Sequence, residues 1–384
     1  MKNMKRLFVG GWVFASGIGV AQADYALNLR QGVTGISHEL YNLHMLILGI
    51  CVLIGIGVFG TMFYSIYHHR KSKGHVAAQF HENTQVEIIW TVIPTLILIG
   101  MAIPATKTML KLDDVVDPDI TIKVVGWQWK WEYEYPEQGI HFFSNLDEAS
   151  NRARQLNSGI DPRSVPNYLL NVDKPLVIPT KKKIRFLLTA QDVIHSWWVP
   201  DFGWKKDTIP GYVNEAWTYI EEPGVFRGQC TELCGKDHGF MPIVVVAMEQ
   251  ADFDKWVEQQ KAAAIAEAGA ADKEWSKEEL VAKGEAVYQT NCSSCHLPTG
   301  EGVPGNFPGL KGSAVVNGDI NAQIDLVLNG KGMMPAFGAM LKPVDLAAVI
   351  TYTRNAWGSQ AGDMVQPAAI QNRLAGASSQ TGAN

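Results

Sequence analysis

Residues 230–241 read CTELCGKDHGFM, which places two cysteines, a histidine and a methionine within twelve positions. Three chemistries compete for them. In an oxidising compartment two nearby cysteines form a disulfide, and two cysteines with two histidines hold zinc. Neither uses Met241, whose thioether is a weak ligand typical of copper beside thiolate and imidazole. A mononuclear blue-copper site needs one cysteine and two histidines, and so leaves a thiolate over. Two thiolates bridging two copper ions employ the whole set. His238 and the upstream His195 of QDVIHSWWVP would give one imidazole to each metal, with Met241 and the backbone carbonyl of Glu232 as weak ligands. Such sharing spreads one unpaired electron over both metals, so geometry changes little on reduction and electron transfer is fast.

The runs around this stretch are those of a β domain. DITIKVVGWQWKWEYEY (119–135) alternates β-branched and aromatic residues, and PLVIPTKKKIRFLLTA, GYVNEAWTYIEE and MPIVVVAME follow between Gly, Pro and Asp turns. Short strands so spaced predict a sandwich or barrel over 112–250. Residues 139–168, rich in Asn, Arg, Ser and Asp, read as a loop inserted on that body. The Ala-rich segment 251–275 reads as a linker helix. Ser276 and Glu279 have capping-box spacing and open an all-α domain over 276–358, and the small, polar residues 359–384 read as a disordered tail.

Upstream, Lys2, Lys5 and Arg6, then an apolar run and AQA (Ala21 to Ala23), form a signal peptide over 1–23; an uncleaved first membrane helix is the alternative. Within 24–111, residues 45–67 and 88–106 carry no charge over the length a bilayer requires, which predicts a two-helix transmembrane hairpin. Arg70, Lys71 and Lys73 face a single acid, Glu82, in the connection, so the connection is cytoplasmic and both soluble domains lie on the periplasmic side of a bacterial inner membrane. Pro94 and Pro104 are tolerable kinks in the second span. The net charge of -5 speaks against nucleic acid as a partner.

Of the five cysteines, Cys51 falls inside the first span and reads as a packing residue. Cys292, Cys295 and His296 form CSSCH, the attachment motif of covalent haem c, in which both thiols bond to the porphyrin and the histidine ligates iron. A redox dithiol would leave His296 unexplained. Met/His coordination suits an electron-transfer haem, and GKGMMPAFGAM offers Met333, Met334 and Met340 as the sixth ligand.

The hairpin, the DVIHSW and C-x-E-x-C-x-x-x-H-x-x-M pattern and the appended CSSCH together resemble subunit II of haem-copper cytochrome c oxidases, in the fused form of caa3-type enzymes. The resemblance implies a cupredoxin-like Greek-key barrel with a dinuclear CuA centre, followed by a class I-like cytochrome c domain. It places the CuA ligands at His195, Cys230, Glu232 through its carbonyl, Cys234, His238 and Met241. It implies magnesium on the Glu232 side chain at the boundary with subunit I. It makes Trp129 the residue where electrons enter from cytochrome c, and Glu87 an acid at the mouth of a proton channel. Similar small cytochrome domains place the haem ligand before the proline of an MPAF-like loop, which favours Met334 over Met333. The implied function is the electron-input subunit of a proton-pumping oxidase, with subunit I and subunit III as partners and no oxygen-reducing site on this chain.

Two positions depart from the family pattern: Lys130 stands where many relatives have tyrosine, and Trp127 where many have histidine. Both flank the expected docking patch, which suggests a face adapted to the tethered haem domain. Asp173 and Asp192 are either steering charges for a basic donor or solvated surface acids. The competing readings are a CuA-bearing subunit of a nitric oxide reductase, and a copper-delivery or structural membrane protein with disulfide-bonded cysteines.

Overall fold

The computed structural model describes residues 28–359 and 361–381, so the expected signal peptide over 1–23 lies outside the described residues. Two long helices come first, α1 (Gly35–His68) and α2 (Thr84–Leu112). Each has a side-chain cap: Thr34 Oγ1 accepts from the Ser37 amide, and Asn83 Oδ1 accepts from the Val86 amide. Both uncharged runs fall inside these helices. Leu53, Ile56, Leu96 and Leu98 point outward from them, an apolar surface suited to hydrocarbon rather than water. The far ends of the pair are tied to the β domain. The Val33 amide donates to Asp201 O (2.9 Å), Thr34 Oγ1 to Phe202 O (3.0 Å), and Trp217 Nε1 to Lys111 O (3.0 Å). The hairpin is therefore anchored at one end, with residues 69–83 at the other.

The β domain consists of β1 (Ile120–Trp127), β2 (Lys130–Tyr135), β3 (Ile140–Ser144), β4 (Leu176–Pro179), β5 (Lys183–Ala190), β6 (His195–Trp198), β7 (Lys205–Thr208), β8 (Asn214–Tyr219), β9 (Gly224–Cys230) and β10 (Pro242–Met248). They form two five-stranded sheets, β3-β2-β1-β5-β8 and β4-β10-β9-β6-β7. Pairs β1/β5 and β4/β10 are parallel and the rest antiparallel, so the chain crosses between sheets rather than meandering. Strand β5 shows why they stack: Ile184, Phe186, Leu188 and Ala190 alternate inward. They meet Trp131, Tyr133, Trp197 and Phe202, all fully buried. Burial of each such side chain is worth roughly 1.5–3 kcal/mol.

Three expectations need adjustment. The run 119–135 is not one strand but a hairpin, turning at Gln128–Trp129 between β1 and β2. The segment read as a loop, 139–168, contains β3 and a short helix α3 (Glu148–Ala153), because Ile140 and Phe142 supply an inward face. The linker is a helix, α4 (Gln250–Ala271), but its first half is docked: Phe253 and Val257 enter the sandwich core, and the Trp256 ring lies 5.3 Å from that of Tyr135. Positions 253, 256 and 257 form one helical stripe.

The C-terminal domain holds α5 (Lys277–Asn291), α6 (Ser293–His296), α7 (Ala314–Asn317), α8 (Ile320–Asn329), α9 (Pro343–Asn355) and α10 (Pro367–Thr381). Ser276 and Glu279 cap α5 reciprocally, as their spacing predicts. Helices α5 and α9 cross where Gly284 meets Ala348; a Cβ at Gly284 would stand 2.1 Å from the Ala348 carbonyl oxygen, so only glycine permits the approach. Within the tail expected to be disordered over 359–384, Pro367–Thr381 form α10, where Ile370, with Val365 just before the helix, is buried against this core. Two apolar anchors outweighed a polar composition.

Candidate functional site

His195 opens β6 and Cys230 ends β9. These strands are neighbours, with Trp197 opposite Cys230, so sheet register brings together residues far apart in sequence. The Thr231 amide then donates to Ser196 O (3.1 Å), and the chain turns back over the cluster. Ligand atoms of His195, Cys230 and Cys234 all lie within 4.8 Å of one another. Cys234 Sγ stands 3.8 Å from Cys230 Sγ, 3.4 Å from His238 Nδ1 and 3.5 Å from Met241 Sδ, while Cys230 Sγ is 3.4 Å from Glu232 O. All six expected ligands converge. Both cysteines are free, and their separation is far beyond the ~2.05 Å of a disulfide bond.

His195 is fully buried. Its Nε2 donates to Asp192 Oδ1 (2.9 Å), which leaves Nδ1 as a buried nitrogen with no hydrogen-bond partner. An orphaned imidazole nitrogen beside two thiols is the arrangement of a metal ligand oriented by a carboxylate. Burial alone would lower the His195 pKa, but the Asp192 carboxylate and the Cys230 sulfur outweigh it and the net shift is upward. The hydrogen bond from Cys234, with His195 beside it, pulls Cys230 down to about 4, and giving that bond pushes Cys234 up. The pair therefore favours one ionised sulfur, the form that ligates metal. Gly126 makes the space: a Cβ there would lie 2.8 Å from both His195 Cδ2 and Thr208 Oγ1.

Trp129 sits at the tip of the β1–β2 hairpin. Its Nε1 and Gln128 Nε2 both donate to the Cys234 carbonyl (3.1 and 2.8 Å), so the indole is held against the cysteine loop. Trp131 Nε1 donates to Met241 O (3.3 Å). The Glu232 side chain is exposed and turned away from the core. Asp192, open to two readings in the sequence, is committed to His195 and to the Gln128 amide (2.7 Å), and Asp173 is bonded to Asn145. Sequence reasoning missed Asp192 and Gln128 as supports. The i, i+3 spacing of Asp192 and His195 was the available signal for the first, and Gln128 had none.

The second constellation lies at the end of α5, where Cys292, Cys295 and His296 share the turn that becomes α6. His296 Nδ1 donates to Pro308 O (2.8 Å), which leaves Nε2 free to ligate. Burial holds its pKa below the ordinary value, which favours the neutral ring. Met334 packs on the domain's core, Met340 is buried within it, and Met333 is 73 % exposed. The two constellations face each other. Lys236, within the cysteine loop, donates to the Ser294 carbonyl, Lys130 Nζ donates to Asn291 Oδ1 (3.3 Å), and Asn151 Nδ2 donates to Gln289 O (2.8 Å). Glu87 is elsewhere, exposed in the first turn of α2, where it accepts from the Asn83 amide (3.3 Å).

Family comparison accounts for each part. The descriptions "Cytochrome C oxidase subunit II, transmembrane domain" and "Cytochrome C oxidase subunit II, periplasmic domain" match residues 22–108 and 120–248. "Cytochrome C oxidase, cbb3-type, subunit III" matches 279–352. The probable cytochrome c oxidase subunit 2 of Rickettsia bellii is 38% identical over 259 residues, which cover 67% of this chain and 92% of that one. The chain belongs to the cytochrome c oxidase subunit II family. The Rickettsia felis relative is 40% identical over 230 residues, covering 60% of this chain and 70% of its own. The solved periplasmic domain of subunit II from Bradyrhizobium japonicum is 42% identical, with a TM-score of 0.34 and coverage of 39% of this chain and 98% of that chain. This subunit II thus combines two apolar N-terminal helices, a cupredoxin-like domain and a helical region matching a cytochrome c domain. Membership makes it a subunit of the oxidase, with subunit I as partner and a cytochrome c as donor.

Proposed function

We propose that this subunit II carries both covalent haem c and a dinuclear CuA centre. The observation that carries this reading is the convergence of two free cysteines, two histidines, a methionine sulfur and a backbone carbonyl around one point, with His195 Nδ1 unpartnered there. The donor set fits two copper ions: two sulfurs can bridge, and one imidazole and one weak ligand remain for each metal. Cys292 and Cys295 would hold haem by thioethers, with His296 and Met334 as axial ligands; the packed position of Met334 favours it over exposed Met333. Bound to these residues, the two groups would supply one-electron centres in series between a cytochrome c-type donor and the oxygen-reducing subunit I.

The chain's own residues set the conditions. Asp192 fixes the His195 tautomer, Gly126 leaves room for its ring, and Gln128 and Trp129 hold the Cys234 carbonyl. Trp129 is our candidate for the residue where electrons enter the copper side, because its indole is bonded directly to a ligand-bearing residue. The exposed Glu232 carboxylate is available to magnesium shared with subunit I, and Glu87 to a proton path at the membrane surface. We further assign the hairpin to a bacterial inner membrane, with subunit III as an additional neighbour. EPR and visible spectra of the purified chain test the central reading. A seven-line copper pattern together with a haem c α-band is expected, and Cys230→Ser abolishes the first while sparing the second. An unaltered copper spectrum in that variant would falsify the assignment.

A further inference from the structure

Among the described residues three hydrogen bonds join the sandwich to the haem-attachment segment, and two of them use lysines beside Trp129 or in the loop that packs on it. Lys130 follows it in sequence. The residue is 5% exposed, and its ammonium donates to Asn291, the residue before Cys292, and lies 4.7 Å from the centre of the Phe143 ring and 6.0 Å from that of Phe337. Lys236 is two residues beyond Cys234, in the loop that packs on Trp129. It donates to the carbonyl of Ser294, between the haem cysteines, and lies 4.9 Å from the centre of the Phe307 ring. Both cations therefore end on neutral acceptors and aromatic faces of the haem domain. Among the described residues, the ion pairs within 4.0 Å do not join the sandwich strands to that domain.

We propose that Lys130 and Lys236 form a two-point clamp that seats the CSSCH segment over the Trp129 tip and the cysteine loop, and are positioning residues for electron transfer within this chain. The proposal rests on the reading of both centres above. The two lysines have different parts. Burial of an ammonium is costly and its partners only offset that cost, so Lys130 fixes register more than it adds affinity. Lys236 remains at the rim, loses less hydration and supplies the hold. The clamp places Ser294, one residue from Cys295, against Lys236, two residues from Cys234, and so shortens the gap between the two attachment sites.

The test uses the full chain. Lys236→Ala is expected to raise hydrogen exchange over residues 289–296 and to slow haem-to-copper transfer by about tenfold, as loss of a charge-assisted bond from a tethered interface implies. Lys236→Arg, which keeps a cationic donor, restores both. Lys130→Met keeps the exchange protection but broadens the haem–copper distance distribution in pulsed EPR. Unchanged exchange and unchanged transfer in the doubly substituted Lys130→Met/Lys236→Ala chain, with both spectra intact, overturn the clamp. Absence of the copper pattern or the α-band in the unsubstituted chain strikes instead at the functional reading beneath it.

Discussion

The carboxylate of Asp192 does for His195 what the sequence motif alone does not announce: it accepts a hydrogen bond from Nε2–H and leaves Nδ1 facing the two sulfurs. Asn at this position keeps the shape but loses the charge that stabilises the donated bond. Asp192→Asn is therefore expected to lower copper affinity by about 10- to 100-fold, the usual cost of losing a carboxylate behind a ligating histidine. Competition with a copper chelator measures it, and equal affinities would remove Asp192 from the site. Gly126 supports the same ring by absence. A methyl there meets His195 and Thr208 at 2.8 Å, and neither is free to retreat from a fully buried position. Gly126→Ala is expected to destabilise the sandwich by about 1–3 kcal/mol, as overpacking does. Denaturant unfolding of the metal-free chain checks this apart from any loss of copper.

At the scale of elements, legibility followed the strength of local pattern. The candidate cluster was readable because CTELCGKDHGFM packs most of its side chains into one loop, and the long apolar helices because hydrocarbon demands long uncharged runs. The β1–β2 turn was not readable. Trp127, Gln128, Trp129 and Lys130 continue the aromatic alternation of a strand, and the reversal is favoured by tertiary bonds to Asp192 and Cys234 that no local pattern encodes. Helix α10 was hidden for a related reason: it depends on Val365 and Ile370 finding the α5–α9 core, while the rest of the segment is small and polar. Truncation after Gln366 should therefore destabilise the C-terminal domain by about 1.5–3 kcal/mol, the worth of one buried isoleucine. Thermal unfolding followed at the haem absorbance would show it; an unchanged midpoint would mean that the helix contributes nothing to the core it touches.

For the whole molecule, the contacts that join its two soluble domains have consequences for how conditions act on it. The lysines at the interface end on carbonyl, amide and aromatic groups, so screening by salt has little to act on there. Haem-to-copper transfer within the chain is expected to be insensitive to ionic strength, whereas delivery from a charged external donor falls as salt rises. Stopped-flow measurements at low and high salt separate the two steps. Proton linkage gives the interface a second signature. Burial takes Lys130 from its ordinary 10.5 down to about 8, against the pull of Cys292, Asp173, Glu132 and Asp192, in that order; Glu132 is itself bonded to His141. Once Cys292 is a thioether it cannot ionise, and the largest of those opposing influences is gone. Below about pH 8 the lysine is charged in both docked and undocked forms, and docking bears the full desolvation cost. Between about 8 and 10.5 the docked form holds fewer protons than the undocked one, so docking strengthens as pH rises, by at most about tenfold per pH unit. The docked fraction seen by pulsed EPR should rise from pH 7 to about 9.5 in the unsubstituted chain and stay flat in Lys130→Met. A fraction that falls over this interval would show that the charged ammonium is favoured at the interface, and that its hydrogen bond and ring contacts outweigh its burial.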